Sequence, residues 1–307
     1  MLFNFASADA TGADALVSGI DNRRWGVDSE YGRLTDVMLS NPRHLELVPC
    51  NAVSIENHRN GITCSSDLAV EQHSKLVRAL EAEGVRCHLV PPMEGLADLP
   101  FTRDATLMSP WGLIALSPAV DHRLAEVAHI RAAAQGWDVP LFGAVEDGRI
   151  EGGDVCLLRP GIVVIGYSGE RTDEAGARAL AGMFQERGWD SILTRFGRRF
   201  LHLDTVFTLA DHNLAVACVD ALEPEFLAQV QELGIELIDV TVSEVQRLGG
   251  NLLSLGDRRV VSSADNRRIN ALLERRGYKV VRVEIDQFTR CGGGMHCLTM
   301  PLARLPG

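Results

Sequence analysis

The apolar positions of the chain follow two spacings, one typical of strands and one typical of helices. Residues 34–40 alternate apolar and polar side chains, which predicts a strand that Pro42 ends. Residues 68–80 carry apolar side chains at helical spacing, and Gly84 stands where a helix C-cap is expected. Residues 85–90 then predict another strand. This stretch therefore contains a strand, a helix, a glycine and a strand in that order.

The same unit recurs four more times along the sequence. Further strands are predicted at 113–116, 162–165, 214–217 and 260–261, and the helices that follow them at 123–135, 173–187, 223–233 and 266–276. With Gly84, the glycines after the helices are Gly136, Gly188, Gly234 and Gly277, roughly 45–50 residues apart, a period typical of repeat architectures. Ordinary alternation of strands and helices also places glycines after helices. Five copies with the same order of parts favour a repeat.

Five such units predict an α/β protein that closes into a propeller-like ring. In a ring the inner strands converge on an axis, so loops from several units can form one pocket. We expect residues 27–307 to form a single domain of this kind. Residues 1–26 are polar and rich in small side chains, which predicts an N-terminal arm. The polar stretch 56–61 is expected to be a loop that closes over the pocket.

Composition and charge narrow the classes of function. The chain has 307 residues, 46% of them hydrophobic, and no apolar run long enough to span a bilayer. A net charge of −11 argues against a nucleic-acid-binding surface, which needs a basic face. The N-terminus lacks signal-peptide features, and seven cysteines without framework spacing favour reduced thiols in a cytoplasmic protein. A homo-oligomer is compatible with the sequence, which leaves the oligomeric state open.

Four polar clusters lie beside predicted strands in different units. They are Phe101-Thr102-Arg103-Asp104, Glu151-Gly152-Gly153-Asp154, the segment 201–207 and the glycine-rich segment 291–301. Taken alone, Cys297 is readable as a small buried residue beside a glycine turn, His202 as a polar strand end, and the acidic clusters as a loop and a local ion pair. Three carboxylates, an imidazole and a thiol that converge on one pocket instead favour a catalytic site.

These side-chain types suit a planar cationic substrate. Paired carboxylates match the guanidinium group through forked hydrogen bonds. A thiol beside bound positive charge has a lowered pKa and becomes a nucleophilic thiolate. A histidine held by a carboxylate can donate and accept a proton near neutral pH.

In combination and in order, these motifs resemble those of the superfamily of arginine deiminases, dimethylarginine dimethylaminohydrolases and amidinotransferases. The resemblance extends from about Val27 to Pro301 and implies the pentein fold, a five-bladed α/β-propeller of ββαβ-type repeats. It implies that Cys297 attacks the guanidinium carbon, while Asp104 and Asp204 bind the guanidinium nitrogens.

The resemblance also implies the remaining roles. Glu151 would pair with the substrate nitrogens and with His202, which would protonate the departing amine and then activate water against an S-alkylthiouronium intermediate. Arg123 and Arg171 match the two arginines that bind the substrate α-carboxylate, which implies a free amino acid rather than a peptide. The further predicted substrate-binding residues are Asp98 and Asp154. No metal or organic cofactor is implied.

Departures from the individual families leave the reaction open. The chain is too short for the helical insert of classical arginine deiminases, and Asp98 stands where those enzymes have asparagine. Dimethylarginine hydrolases share Asp98 but usually have lysine in place of Asp204, whose carboxylate is expected to bind unsubstituted nitrogens. Amidinotransferases share the pair His296-Cys297 but generally lack the Glu-Gly-Gly-Asp motif at 151–154. The compact layout also resembles arginine dihydrolases.

The leading interpretation is a cysteine hydrolase of the guanidino group of L-arginine or a close analogue. A deiminase would form citrulline and ammonia, whereas a dihydrolase would form ornithine, CO2 and ammonia. The alternatives are a dimethylarginine dimethylaminohydrolase, an amidinotransferase that needs an amine acceptor, and a non-catalytic propeller that binds a partner. The acidic balance of the chain disfavours an RNA partner for the last of these.

Overall fold

A computed structural model describes residues 24–306, which contain fifteen strands and nine α-helices. The strands are β1 (Arg33–Ser40), β2 (Arg86–Val90), β3 (Thr106–Ser109), β4 (Gly112–Ala115), β5 (Leu141–Ala144), β6 (Val155–Arg159), β7 (Ile162–Tyr167), β8 (Asp190–Arg195), β9 (Phe207–Asp211), β10 (Leu214–Ala217), β11 (Glu236–Asp239), β12 (Leu253–Gly256), β13 (Arg259–Ser263), β14 (Lys279–Val283) and β15 (Met300–Leu305). The helices are α1 (Ala52–Arg59), α2 (Ser66–Ala82), α3 (Leu124–Gly136), α4 (Glu174–Gln185), α5 (Leu203–Val206), α6 (Pro224–Glu232), α7 (Val242–Val245), α8 (Arg267–Arg275) and α9 (Asp286–Cys291). This alternation confirms the predicted α/β class.

The strands form five open sheets of three strands each within the described range. Four sheets are continuous in sequence, β3-β4-β5, β6-β7-β8, β9-β10-β11 and β12-β13-β14. In each of them the first two strands are antiparallel, and the third pairs parallel with the second after a helical connection. The fifth sheet, β15-β1-β2, has the same pairing but takes its first strand from the C-terminal end of the chain.

The turns after the long helices follow the predicted glycines in four units. Gly84, Gly188, Gly234 and Gly277 all have φ between 76° and 84°, a left-handed conformation that glycine adopts without steric cost. Gly136 also ends its helix, as predicted, but without the left-handed conformation. Gly136 is the last residue of α3, and Asp138 takes the left-handed conformation two residues later, with φ of 60°.

The predicted loop at 56–61 is wrong for most of its length, because α1 extends to Arg59. A capping box begins this helix: Asn51 Oδ1 accepts from Ser54 N at 2.9 Å, and Ser54 Oγ accepts from Asn51 N at 3.1 Å. Asn51 Nδ2 also donates to Cys291 O at 2.9 Å. The start of α1 is therefore fixed beside the glycine run after α9.

The core consists of three clusters of buried apolar side chains between the sheets and their helices. Trp25 packs in one of them, and Gly26 forms a β-bridge with Ala303. Residues 1–23 of the predicted arm lie outside the described residues, so the division into an arm and one domain stays a prediction. No helix within residues 24–306 is long and apolar enough to cross a membrane.

Candidate active site

The segments that precede the first strand of each sheet are hydrogen-bonded to one another. Each ends in a polar residue close to the strand: Asp104 before β3, Asp154 before β6, Asp204 before β9, Asn251 before β12 and Thr299 before β15. The connecting bonds are Arg103 N to Cys297 O (3.3 Å), Gly152 N to Asp104 O (3.1 Å), Leu203 N to Asp154 Oδ1 (2.8 Å), Asn251 Nδ2 to Asp204 O (3.2 Å) and His296 N to Asn251 Oδ1 (2.8 Å). Each segment therefore contacts the next, and the last contacts the first.

The Cys297 thiol is buried, with only 1% of the residue exposed. Its Sγ lies 3.5 Å from Asp204 Oδ2 and accepts a hydrogen bond from Asn251 Nδ2 at 3.4 Å. Burial raises the pKa of Cys297 well above its usual value, and the negative charges of Asp204 and Asp104 raise it further. Without a bound cation, Cys297 is therefore a protonated thiol.

The residues packed against the segment before Cys297 leave no room for side chains there, so this segment consists of glycines. Gly292 has φ of 95° and forms the left-handed C-cap of α9. A Cβ on Gly293 would overlap the ring of Phe101, and a Cβ on Gly294 would overlap the side chain of Asn251. The absence of side chains thus allows the backbone to approach both residues closely.

Replacing Gly293 by alanine is expected to lower both stability and activity. Phe101 is buried and packs edge-on against Phe288, so the glycine run must move to accommodate the new methyl group. We expect a loss of about 1–3 kcal/mol in the free energy of unfolding, measured with urea. The matched control is Gly182→Ala in α4, where the Cβ meets open space and a gain of up to about 1 kcal/mol is expected. Equal losses in both variants would contradict the packing argument.

His202 is held by Glu151 and lies near a second carboxylate. Its Nε2 is 2.8 Å from Glu151 Oε2, and its Nδ1 is 3.7 Å from Asp104 Oδ1. Burial alone would lower the pKa of His202, but the carboxylates of Asp104, Asp154 and Glu151 raise it to about 10. In the ligand-free protein His202 is therefore an imidazolium, ready to donate a proton.

Glu151 is fully buried and is surrounded by donors. Its Oε1 accepts from Arg171 Nη1 at 3.3 Å and from Ala119 N at 3.0 Å, while Arg123 Nη1 lies 3.8 Å from Oε2. Burial alone would raise the pKa of Glu151, but His202, Arg171 and Arg123 hold it well below its usual range. Glu151 is therefore a carboxylate that orients His202.

Asp104 and Asp204 each keep one carboxylate oxygen without a hydrogen-bond partner among the described residues. Arg123 Nη1 donates to Asp104 Oδ2 at 2.6 Å, and His296 Nδ1 lies 2.9 Å from Asp204 Oδ2. Both Oδ1 atoms are buried and accept no hydrogen bond from the described residues, which is costly unless a ligand supplies N–H donors. Hydrogen bonds from His296 keep the pKa of Asp204 low despite its burial.

The other predicted substrate-binding residues occupy two positions. Arg123, Arg171 and Asp98 line the cavity with Cys297, His202 and Asp104. Asp154 is not among the lining residues; its Oδ1 accepts from the backbone N of Leu203, which positions the segment that carries His202. Burial raises the pKa of Asp154 to about 7.

The cavity itself has a volume of about 20 Å³, enough for about one water molecule. It adjoins a groove of about 620 Å³ between α1, the segment 198–201 and α7. Cys50, Asn51, Arg171, Leu201 and Gly292 line both spaces. A ligand that reaches Cys297 must therefore pass between these residues and displace side chains from their present contacts.

The sequence did not predict Asn251 and His296, which form hydrogen bonds to predicted site residues. Asn251 contacts both Cys297 and the Asp204 backbone, and His296 bridges Asp204 to Glu30, 3.4 Å from its Nε2. Glu30 in turn pairs with the buried Arg103 at 3.2 Å. The Gly-Gly-Asn sequence at 249–251 parallels the Gly-Gly-Asp sequence at 152–154, and this repeat signal identifies Asn251.

A group of Asp104, Glu151 and His202 offers ligand atoms within 4.8 Å of one another, close enough for a metal ion. Arg123 and Arg171 already pair with its carboxylates, at 2.6 Å and 3.3 Å. The group therefore suits a planar organic cation, which has N–H donors for the remaining oxygens.

Comparison with known proteins agrees with this chemistry. Residues 48–304 match the family described as eukaryotic N,N dimethylarginine dimethylhydrolase. The chain is 31% identical over 276 residues to the uncharacterized protein YkgA of Bacillus subtilis, covering 90% of this chain and 94% of YkgA. It is 27% identical over 236 residues to the N(G),N(G)-dimethylarginine dimethylaminohydrolase of Pseudomonas aeruginosa, covering 76% and 87% of the two chains. An arginine deiminase of Rhodococcus jostii is 32% identical over 190 residues, which cover 51% of this chain and 47% of the deiminase.

Solved structures share the fold. The N-terminal domain of ArgZ, a cyanobacterial arginine dihydrolase bound to its product, superposes with a TM-score of 0.77 at 22% identity, covering 88% of this chain and 97% of that domain. The Pseudomonas aeruginosa dimethylarginine hydrolase complexed with citrulline gives a TM-score of 0.73 at 24% identity, covering 87% and 99%. The predicted resemblance and the expectation of a C–N hydrolase are confirmed. The chain belongs to the dimethylarginine dimethylhydrolase family, within the pentein superfamily of guanidine-modifying hydrolases.

Proposed function

We propose that the protein is a cysteine hydrolase acting on the guanidino group of free L-arginine or a close analogue. The observation that carries this proposal is the pair of buried aspartates, Asp104 and Asp204, each with one oxygen that accepts no hydrogen bond from the described residues. Asp204 Oδ2 lies 3.5 Å from Cys297 Sγ, and the negative charge of Asp104 also acts on the Cys297 thiol. A guanidinium group supplies the N–H donors that both oxygens lack, and its charge offsets the buried negative charge.

Binding of this cation activates the nucleophile. The charge lowers the raised pKa of Cys297, so the thiol releases its proton to solvent and the thiolate attacks the guanidinium carbon. His202, an imidazolium beside Glu151, donates its proton to the departing amine. The product of this step is an S-alkylthiouronium group on Cys297.

The second half of the reaction reverses the role of His202. Neutral His202 accepts a proton from a water molecule, which attacks the thiouronium carbon as the bond to Cys297 Sγ breaks. The negative charge of Glu151 stabilises the imidazolium that forms again. An unsubstituted guanidine loses ammonia in the first step and leaves as a ureido product.

Arg123 and Arg171 are proposed to bind the substrate α-carboxylate. Both now pair with site carboxylates, Arg123 with Asp104 and Arg171 with Glu151. A guanidinium that binds Asp104 competes with Arg123 for the same carboxylate, and a carboxylate on the substrate offers the displaced arginine a new partner. Asp98, which lines the cavity, is retained as a proposed substrate-binding residue. Asp154, predicted in the same role, is proposed to act on the substrate indirectly, through the Leu203 backbone N that donates to its Oδ1.

We also propose that the five sheets are the blades of a propeller around this site. The bonds that connect the five polar segments, and the C-terminal β15 in the sheet of β1, support this closure. A cytoplasmic location and the absence of nucleic-acid partners stay predictions from the reduced cysteines and the acidic composition.

Dimethylarginine is a second candidate substrate. The family match and the Pseudomonas aeruginosa relative favour it. Methylated nitrogens donate fewer N–H bonds, and the unpaired oxygens of both Asp104 and Asp204 favour an unsubstituted guanidine. A deiminase, a dihydrolase and an amidinotransferase share the first step. Water attacks once in a deiminase and twice in a dihydrolase, whereas an amine replaces the water in an amidinotransferase.

We expect kcat/KM for L-arginine to exceed that for Nω,Nω-dimethylarginine and for agmatine, which lacks the carboxylate, each by at least about tenfold. Citrulline, ornithine and ammonia are measured together, with glycine added in a parallel reaction. Citrulline with one ammonia identifies a deiminase, ornithine with two ammonia a dihydrolase, and an amidinated glycine a transferase. Faster turnover of dimethylarginine would establish the second candidate instead.

A further inference from the structure

Two cysteine side chains that the proposed mechanism does not use meet beside the cavity. Cys64 lies in the segment between α1 and α2, and Cys291 is the last residue of α9. The Cys291 thiol donates a hydrogen bond to the sulfur of Cys64. Both sulfurs also contact one stretch of backbone, since Cys64 Sγ lies 3.9 Å from Leu45 O. Cys291 Sγ lies 3.8 Å from the next carbonyl oxygen, that of Glu46.

The segments that carry the two thiols are held together by further hydrogen bonds. Arg290 Nη1 donates to Thr63 O at 3.1 Å. Ser65 N donates to Gln287 Oε1 at 2.9 Å. Both chain neighbours of Cys64 are therefore bonded to α9, which keeps the two sulfurs in contact without a covalent bond between them.

The two thiols differ in exposure and in protonation. Cys64 is partly exposed, whereas Cys291 is buried, with 4% of the residue exposed. The hydrogen bond from Cys291 lowers the pKa of Cys64 despite its partial burial. The same bond raises the pKa of Cys291, and burial raises it further. The thiolate, which is the form that reacts with oxidants, therefore forms at Cys64 while Cys291 keeps its proton.

We propose that Cys64 and Cys291 form a disulfide on exposure to hydrogen peroxide, and that this bond restricts access to the active-site cavity. An accessible thiolate beside a second thiol is the usual arrangement of a redox-sensing cysteine pair. Such a disulfide is compatible with a reducing compartment, because it forms transiently there. Formation of the disulfide does not depend on the proposed function, whereas its effect on turnover rests on that function.

Hydrogen peroxide supplies the oxidant in two steps. The Cys64 thiolate attacks one peroxide oxygen, the O–O bond breaks, and the leaving hydroxide takes a proton from solvent, so Cys64 becomes a sulfenic acid. Oxidation removes the thiolate that held the Cys291 proton. Cys291 then gives this proton to the sulfenic oxygen and its sulfur attacks Cys64 Sγ, so the S–S bond forms, the S–O bond breaks and water leaves. Two thiols are oxidised to one disulfide, and the peroxide is reduced to two water molecules.

Cys291 connects the pair to the active site. It lines the cavity and directly precedes Gly292 and the glycine run that leads to Cys297. Disulfide formation shortens the contact between the sulfurs to about 2.05 Å, which draws the end of α9 toward the segment after α1. Asn57 Nδ2 in α1 already donates to Arg290 O at 2.9 Å. The bond thus ties α1, which lines the groove, to the backbone that carries Cys297, and a ligand has less room to pass between them.

Treatment of the full-length Cys297→Ala protein with hydrogen peroxide tests the pair without oxidation of the proposed nucleophile. We expect a digest prepared without reductant to contain the Cys64 and Cys291 peptides joined, and dithiothreitol to separate them. Cys64→Ser and Cys291→Ser in the same background should each abolish this link. Cys87→Ser, which removes another half-buried thiol, should leave it unchanged.

The hydrogen bond between the thiols gives a second readout. Cys291→Ala removes the donor that lowers the pKa of Cys64, so less Cys64 thiolate is present at neutral pH. Alkylation of Cys64 by iodoacetamide, followed by peptide mass spectrometry, should therefore slow at least about threefold relative to the wild type. Equal alkylation rates would show that Cys291 does not activate Cys64.

Three results would overturn the proposal: no disulfide in the oxidised protein, a disulfide of Cys291 with Cys50 instead of Cys64, or the expected disulfide with unchanged turnover. In the substrate assay, the loss of kcat/KM that dithiothreitol reverses should be at least about tenfold greater in the wild type than in Cys64→Ser. A disulfide between Cys64 and Cys291 in a protein that turns over no guanidine would refute the proposed function and leave the thiol pair standing.

Discussion

Replacing Cys297 by alanine is expected to reduce kcat for the best guanidino substrate by at least about 10⁴-fold. In the proposed mechanism this thiol is the nucleophile, and Asp204 Oδ2 lies 3.5 Å from its Sγ. Without it no covalent intermediate forms, and the remaining site can only bind the substrate. Substrate affinity should persist or increase, because the variant keeps Asp104 and Asp204 and loses only the sulfur.

The control for this experiment is Cys87→Ser in β2. Cys87 is half-buried and is not among the cavity-lining residues, and its thiol donates a hydrogen bond to the backbone O of Val77 in α2. Both variants are compared for urea unfolding and for turnover. An alanine variant that keeps more than about one hundredth of the wild-type kcat would rule out Cys297 as the nucleophile.

Replacing His202 by glutamine is expected to reduce kcat by about 10²–10⁴-fold, the usual contribution of general acid–base catalysis. Glutamine can keep a hydrogen bond to Glu151, so the loss reflects the proton transfers rather than the packing. Both half-reactions use His202, first as a donor and then as an acceptor. The measurement is rapid-quench kinetics, which separate formation of the intermediate from its hydrolysis.

The pH dependence of kcat/KM distinguishes this role from a structural one. In the free wild-type protein the thiol of Cys297 has a raised pKa, so kcat/KM should increase with pH through the neutral range as thiolate forms. The increase should end near pH 10, where His202 loses its proton and can no longer act as an acid. His202→Gln should lack this upper limit. An identical upper limit in the variant would assign it to another group.

The hydrophobic pattern was informative for the strands that flank the long helices. It located β1, β2, β4, β7 and the strands after the helices, because their apolar residues recur in a short, recognisable unit. It did not locate the first strand of each sheet. β3 and β12 are not followed by a helix, so they lack the strand, helix and glycine order that identified β4 and β10, which are equally short and equally buried.

The misplaced elements have local causes. The helix α1 is polar, and a capping box at Asn51 and Ser54 begins it rather than an apolar stripe. At the end of α3, Asp138 rather than Gly136 takes the left-handed conformation, which aspartate tolerates better than most residues. Neither the capping box of α1 nor the left-handed conformation of Asp138 alters the spacing of apolar residues along the chain.

The proposed catalytic side chains were identifiable because their motifs are short and recur. The residues that position these side chains were harder to predict. His296 and Glu30 are 266 positions apart in the chain and come into contact only in the folded protein. The pairing of Arg123 with Asp104 also required the structure, since the sequence assigned one residue to each end of the substrate. Citrulline and ornithine arise from the same first step, so product analysis distinguishes a deiminase from a dihydrolase.

The most direct test of this account is the mass of the protein during turnover. Wild-type protein and His202→Gln are mixed with L-arginine, quenched in acid and analysed as intact protein and as peptides. We predict an adduct on Cys297 with the mass of the substrate less ammonia, at higher occupancy in the variant if hydrolysis is the slower step. Turnover of L-arginine without any adduct on Cys297, or with the adduct on Cys50 or Cys291, would contradict the account.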